Sequence, residues 1–291
     1  MKQAGLCAGL LGLALAAAAS PAGEAAPLKV VILDGQNNHD WRSTTPLIRE
    51  ALEKSGRFAV TVATAPKTDD AAAWEKFSVK FDDYAAVVSN FTDFGAKPTP
   101  PKMLDELTQY VKGGGGLVLV HAAGSGFGHY PEMAKMAGMG WGGDPNSGDA
   151  LAFDDKGQLV RTPKGQGQGT GHGAPAPWTV VMRNDQHPIA AGLPAVWRHD
   201  RDELWFRARG PAQNVTVLAT TKAPQTRQDE PVLWTVEYGK GRVFATLMGH
   251  DAGAMKDAGF RVTLARGAEW AATGKVTQPV PEEFAKAATG P

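Results

Sequence analysis

The chain has 291 residues, 43% of them hydrophobic and 21% charged, which supplies the core of one large domain and excludes a disordered chain. Lysine plus arginine and aspartate plus glutamate are equal at 30 each, so the chain offers neither a basic field for nucleic acid nor a polybasic patch for a membrane surface.

Residues 1–26 read as a secretory signal peptide: Lys2 supplies a positive start, an apolar run extends from Leu6 to Ala19, and small residues at Ala17, Ala19, Ala22 and Ala25 offer cleavage sites. The run is shorter than the roughly 20 residues of a spanning helix. A soluble periplasmic or secreted protein without stable membrane insertion is therefore expected. Cys7 is the only cysteine and lies inside this segment. A lipid anchor on it is the alternative, although no apolar run precedes it. Once the segment is removed, no thiol remains for a disulfide, a nucleophile or a thiolate metal site.

Beyond the leader, strands and helices alternate as in a parallel sheet. Residues 28–33 form a first strand. Thr45 and Pro46 read as the cap and first position of a helix that carries Ile48 and Leu52 and stops at Gly56. Residues 58–63 and 84–89 are further strands. Residues 99–111 form an amphipathic helix with Met103, Leu104, Leu107 and Val111 at helical spacing, ended by the glycine run 113–116 before a strand at 117–120. Residues 139–177 are rich in Gly, Pro, Gln and Asp, the composition of either a lid or a disordered connection. Strands resume at 178–182, 203–207, 215–219 and 232–236, the last joined through 238–241 to 242–247 as a hairpin. A helix covers 260–272. The expected organisation is one α/β domain over 27–275, a doubly wound, mainly parallel sheet flanked by helices with an added antiparallel hairpin, and a peripheral tail over 276–291.

Three strands run into histidines: the first into Asn37-Asn38-His39-Asp40, the fourth into His121, and the last into Gly249-His250-Asp251. In an open α/β sheet, parallel strand ends of this kind share one crevice. These motifs, together with Trp41, His187-Pro188-Ile189, Asp202-Glu203-Leu204, Pro231-Val232-Leu233-Trp234 and Gly239-Lys240-Gly241, resemble the ThuA-like (trehalose utilisation) family in order and spacing across nearly the whole domain. The resemblance implies a flavodoxin-like fold similar to class I glutamine amidotransferases. It also implies an association with disaccharide uptake and breakdown, with 3-keto sugars as candidate intermediates. Where amidotransferases carry their nucleophilic cysteine this chain has His121, so cysteine-based glutaminase chemistry is excluded. Ser125 is a minor candidate nucleophile, because residues 123–127 lack both glycines of G-x-S-x-G.

The expected catalytic set is therefore His39, His121 and His250 as general acids and bases, with Asp40 and Asp251 orienting them. Asn37, Asn38, Asn90, His172 and Glu203 suit sugar hydroxyls, and the indole of Trp41 suits a pyranose face. The same three histidines are candidate ligands for a divalent metal. Plain hydrogen bonding of loops at the sheet edge is the structural alternative. His187, before a proline, is expected to cap a turn, while His129 and His199 carry no distinguishing context. No phosphate-binding loop is present, so a nucleotide cofactor is not expected. The expected partner is a small carbohydrate and not nucleic acid; self-association into a homo-oligomer stays open. The functional expectation is an exported hydrolase, lyase or isomerase of carbohydrates, the alternative being a non-catalytic sugar-binding or accessory interaction protein.

Overall fold

The computed structural model describes Met1 and residues 26–287, so the expected leader, Cys7 included, lies almost wholly outside the described residues. No helix among the described residues is long and apolar enough to cross a membrane.

The first half alternates as its pattern predicts. Strand β1 (Leu28–Asp34) is followed by helix α1 (Trp41–Lys54), β2 (Phe58–Thr64), α2 (Ala71–Lys76), β3 (Ala86–Ser89), α3 (Pro101–Gly113) and β4 (Gly116–Val120). After α4 (Pro131–Ala137) come β5 (Asp149–Phe153), β6 (Leu159–Thr162), β7 (Gly171–His172), β8 (Ala176–Met182), β9 (Val196–Asp202), β10 (Trp205–Phe206) and β11 (Arg209–Gly210). The chain finishes with β12 (Val215–Lys222), β13 (Asp229–Tyr238), β14 (Gly241–Thr246), α5 (Ala258–Thr273) and α6 (Glu282–Ala287). The main sheet runs β2-β1-β3-β4-β14-β13-β12-β8-β9. Its first five strands are parallel and the rest antiparallel. The expected hairpin is β13–β14, and β12, β8 and β9 extend it into an antiparallel wing.

The glycine run has two physical causes. Gly114 ends α3 with φ 126°, a backbone conformation that costs a side-chain-bearing residue dearly. At Gly116 a Cβ would lie 2.6 Å from the Ala271 carbonyl, so α5 lies directly against β4. Every residue of β3 and β4 is buried, as expected of strands covered by helices on both faces.

Three local readings change. Helix α1 starts at Trp41, capped by Asp40, whose carboxylate accepts from the Ser43 N–H; Pro46 sits in the second turn, where it removes one backbone hydrogen bond without ending the helix. Strand β9 goes unread in the sequence because its buried positions include His199 and Asp202 instead of apolar residues. The tail is peripheral in position but fastened: Glu269 accepts from the Thr277 N–H at 2.9 Å, Arg266 donates to the Gln278 carbonyl at 2.6 Å, and Phe284 is buried beside Trp197.

Candidate active site

The strand ends bring the imidazoles together because β1, β3, β4 and β14 are parallel neighbours, with β1 and β3 forming the topological switch point. At the end of β4 the chain turns through His121 with φ 47°, a left-handed conformation costing about 1–2 kcal/mol for a residue with a Cβ. His121 Nδ1 lies 2.6 Å from the Leu247 carbonyl, which only accepts, so Nδ1 carries a proton and Nε2 is turned towards the site. That buried Nε2 makes no hydrogen bond, and Glu203 stands 3.5 Å from it.

The loop after β1 is positioned by two asparagines. Asn37 donates to the Asn90 carbonyl at 3.0 Å, which fixes its amide orientation and leaves its oxygen to accept from the His39 N–H at 2.8 Å. The same oxygen is 3.3 Å from His39 Nδ1, so His39 also presents Nε2 outward. Asn90 in turn donates to Thr44 and Thr45 at 3.0 Å each, tying β3 to α1. Burial, reinforced by His121 and His250, pushes His39 down to about 4, so the ring is neutral at pH 7.

His250 is placed from behind. Asp202, at the end of β9, accepts from the backbone N–H groups of Gly249 at 2.7 Å and His250 at 3.1 Å. It also pairs with His199 at 2.9 Å, and Asp257 stands 3.0 Å from the other ring nitrogen. Burial alone would lower His199, but the hydrogen bonds and charges of the two aspartates outweigh it and raise it to about 9. A buried imidazolium therefore braces the His250 loop. The sequence held a trace of this in the i, i+3 spacing of His199 and Asp202, but the contribution of Asp257 is tertiary.

Glu203 is the centre of the site. The Trp205 indole donates to one oxygen at 2.8 Å; His172 Nδ1 is 3.0 Å and His250 Nε2 3.8 Å from the other. Burial would raise the carboxyl, yet His121, the Trp205 donor and His172 bring it down to about 2. Around it lies a pocket open to solvent and walled by Asn38, His39, Phe94, Ser125, Trp141, His172 and Trp205. Trp141 stacks edge-on against Trp205 at 5.4 Å and Phe94 at 6.4 Å.

The composition-biased segment 139–177 is ordered: it carries β5, β6 and β7 and supplies Trp141 and His172 to the pocket wall. Buried Arg209 knits it by donating to the carbonyls of Gln166, Gln168 and Gly148 at 2.6–2.9 Å, and Arg207 adds one to Gly169 at 3.0 Å. Strand β7 of this segment pairs His172 with Trp205 of β10.

The expected residues thus divide. His39, Asn38, His172 and Glu203 line the pocket, His121 and His250 flank Glu203, and Asn37 and Asn90 position His39. Asp40 is spent as an exposed helix cap, and Trp41 carries the Arg42 guanidinium 4.3 Å from its ring centroid without lining the pocket. Asp251 accepts from the N–H groups of Gly253 and Ala254 at 2.8 and 2.9 Å; at 3.6 Å from His250 Nδ1 it makes no hydrogen bond there. Ser125 accepts from the Trp141 N–H at 2.9 Å, and His187 accepts from the Ile189 N–H at 3.2 Å in its turn. Sequence reading missed Phe94 and the part played by His199.

One donor atom from each of His39, His121 and Glu203 lies within 4.8 Å of the others. Glu203 thus takes the third place that the sequence assigned to His250.

The family model described as ThuA, trehalose utilisation, matches residues 29–271. A putative ThuA-like protein from Parabacteroides merdae is 36% identical, with a TM-score of 0.81 over 89% of this chain and 95% of that one. A second, from Bacteroides uniformis, is 20% identical with a TM-score of 0.59 over 90% and 99%, a likeness of fold alone. A search of curated proteins gives no match. With a family match across the sheet and its strand-end histidines, and a relative similar over nearly its full length, the chain belongs to the ThuA family of trehalose utilisation.

Proposed function

We propose that this protein is an exported enzyme of carbohydrate utilisation that acts on a disaccharide, or on a 3-keto sugar derived from one, by acid–base chemistry around Glu203. The observation that carries the reading is the convergence of His121, His172 and His250 on one buried carboxylate beside an aromatic wall. Aromatic faces fit the C–H faces of a pyranose, while Asn38 and the imidazoles meet its hydroxyls.

A 3-ketone acidifies the adjacent carbon, and the site is equipped for the elimination that follows. An imidazole of the cluster takes the proton from that carbon, the C–H electron pair becomes a C=C bond, and the glycosidic C–O bond breaks. His172, half exposed at the pocket mouth, delivers the proton that the departing oxygen needs and recovers one from solvent. Ionised Glu203 stabilises the positive charge that forms on its imidazole neighbours. Export is supported by the leader-like pattern of residues 1–26.

The test is turnover of disaccharides and their 3-keto derivatives by the purified protein, with product analysis, alongside Glu203→Gln. Products from the parent and at least 100-fold slower turnover in the variant are expected. Sugar binding without turnover on any substrate would overturn the enzyme reading in favour of a binding protein.

A further inference from the structure

We infer that His39, His121 and Glu203 form a binding site for one divalent transition-metal cation, with its open positions facing the aromatic pocket. The three residues come from the ends of β1 and β4 and from just after β9, and one donor atom of each lies within 4.8 Å of the other two. Bond lengths of about 2.0–2.2 Å to nitrogen and oxygen put neighbouring donors roughly 3–4 Å apart. The His121–Glu203 pair, at 3.5 Å, already has that spacing. Only His39, on a loop, has to close in, by roughly an ångström.

The strongest independent sign is the orphaned His121 nitrogen. Its ring is 3% exposed, its Nε2 has no hydrogen-bond partner, and in the neutral ring the proton that Nδ1 donates to Leu247 leaves Nε2 an acceptor beside the Glu203 carboxylate. A buried unpaired acceptor costs about 1–3 kcal/mol, which a cation removes and a purely structural histidine would not need to bear. The outer arrangement matches as well. Metal-ligating imidazoles characteristically donate their other N–H to a carbonyl or amide oxygen, as His121 does to Leu247 and His39 to Asn37. The anionic carboxylate is held by the Trp205 indole. Two imidazoles and one carboxylate suit zinc, cobalt, manganese or iron(II) and are poor for magnesium or calcium, which prefer all-oxygen sites. His250 and His172, on the other Glu203 oxygen, stay free to move protons.

The site is the one proposed above for sugar chemistry, but the cation does not depend on the sugar. When bound, it would polarise an oxygen of whatever ligand the pocket takes. The experiment is titration of tag-free, chelator-stripped protein with cobalt(II), followed by visible absorption and isothermal calorimetry with zinc, without any carbohydrate. One equivalent per chain is expected, with intense d–d bands of an imidazole-containing site of low coordination number. Affinity should fall at least 100-fold in His39→Ala and Glu203→Gln and by less than threefold in His172→Ala, the fold of each checked by circular dichroism. Because His39 lies on a half-buried loop, its variant remains interpretable if the Glu203 variant misfolds. No stoichiometric binding, or full affinity in a folded His39→Ala, would overturn the inference. Cobalt binding without turnover of any sugar would leave it standing and sink the function proposed above; turnover by protein that binds no metal would do the reverse.

Discussion

His199 offers a sharp test of the charge network behind the site. It is fully buried between Asp202 and Asp257 and raised to about 9, against an ordinary value of 6.5. A group held above its unfolded value binds its proton more tightly in the folded state. Its contribution is therefore complete below pH 6.5, declines as pH rises and is lost through about 9. At 1.36 kcal/mol per pH unit, that difference corresponds to roughly 3 kcal/mol between pH 6 and pH 10. His199→Gln removes the titrating group but keeps a polar side chain between the carboxylates. Urea unfolding of parent and variant across this range isolates the histidine, because lysines, tyrosines and other groups titrate in both proteins and cancel in the difference. The parent is expected to be more stable by roughly 3 kcal/mol at pH 6, and the gap should shrink steadily towards pH 10. A gap that stays constant across the range would refute a buried imidazolium, whatever its size. Since Asp202 also holds the Gly249 and His250 N–H groups, amide exchange at these two positions should quicken in the variant.

Three further outcomes follow from the same geometry. Asp40→Ala should lose about 1 kcal/mol of stability through the missing cap of α1, measured by urea unfolding, and leave turnover within twofold; a large loss of turnover would return Asp40 to the site. Trp141→Ala should weaken sugar binding roughly 3- to 10-fold through a lost aromatic contact of about 0.5–1.5 kcal/mol, read by calorimetry; unchanged affinity would remove the indole from the recognition surface. Arg209→Met should release the glycine-rich part of segment 139–177, seen as proteolytic cleavage there before any elsewhere, and equal resistance in both proteins would show that the arginine is not its fastener.

Much of the fold was legible because its signals are local. The apolar runs of β1, β3 and β4, the helical spacing in α3 and the glycine stop before β4 each follow from neighbours within a few residues. The placement of His39, His121 and His250 at strand ends was legible for the same reason, since a polar residue that closes an apolar run marks where the strand leaves the core. Adjacency in the chain does not by itself assign a role. Asp40 and Asp251 stand beside histidines in the chain, but each carboxylate is used by nearby backbone N–H groups, the ordinary use of an aspartate at a helix start or turn.

By itself, the sequence determined a mainly parallel α/β sheet and the three strand ends that carry imidazoles, because side-chain periodicity and chain breaks are written in adjacent residues. Only the tertiary structure decided that Glu203 stands at the centre, that segment 139–177 is ordered and gives Trp141 and His172 to the pocket wall, and that His199 is a buried cation. Each of these rests on groups far apart in the chain: Glu203 against His121 and His250, Arg209 against the carbonyls of Gln166 and Gln168, and His199 against Asp257. A carboxylate or imidazole takes its charge and its role from what surrounds it, and folding chooses those surroundings from residues tens of positions away.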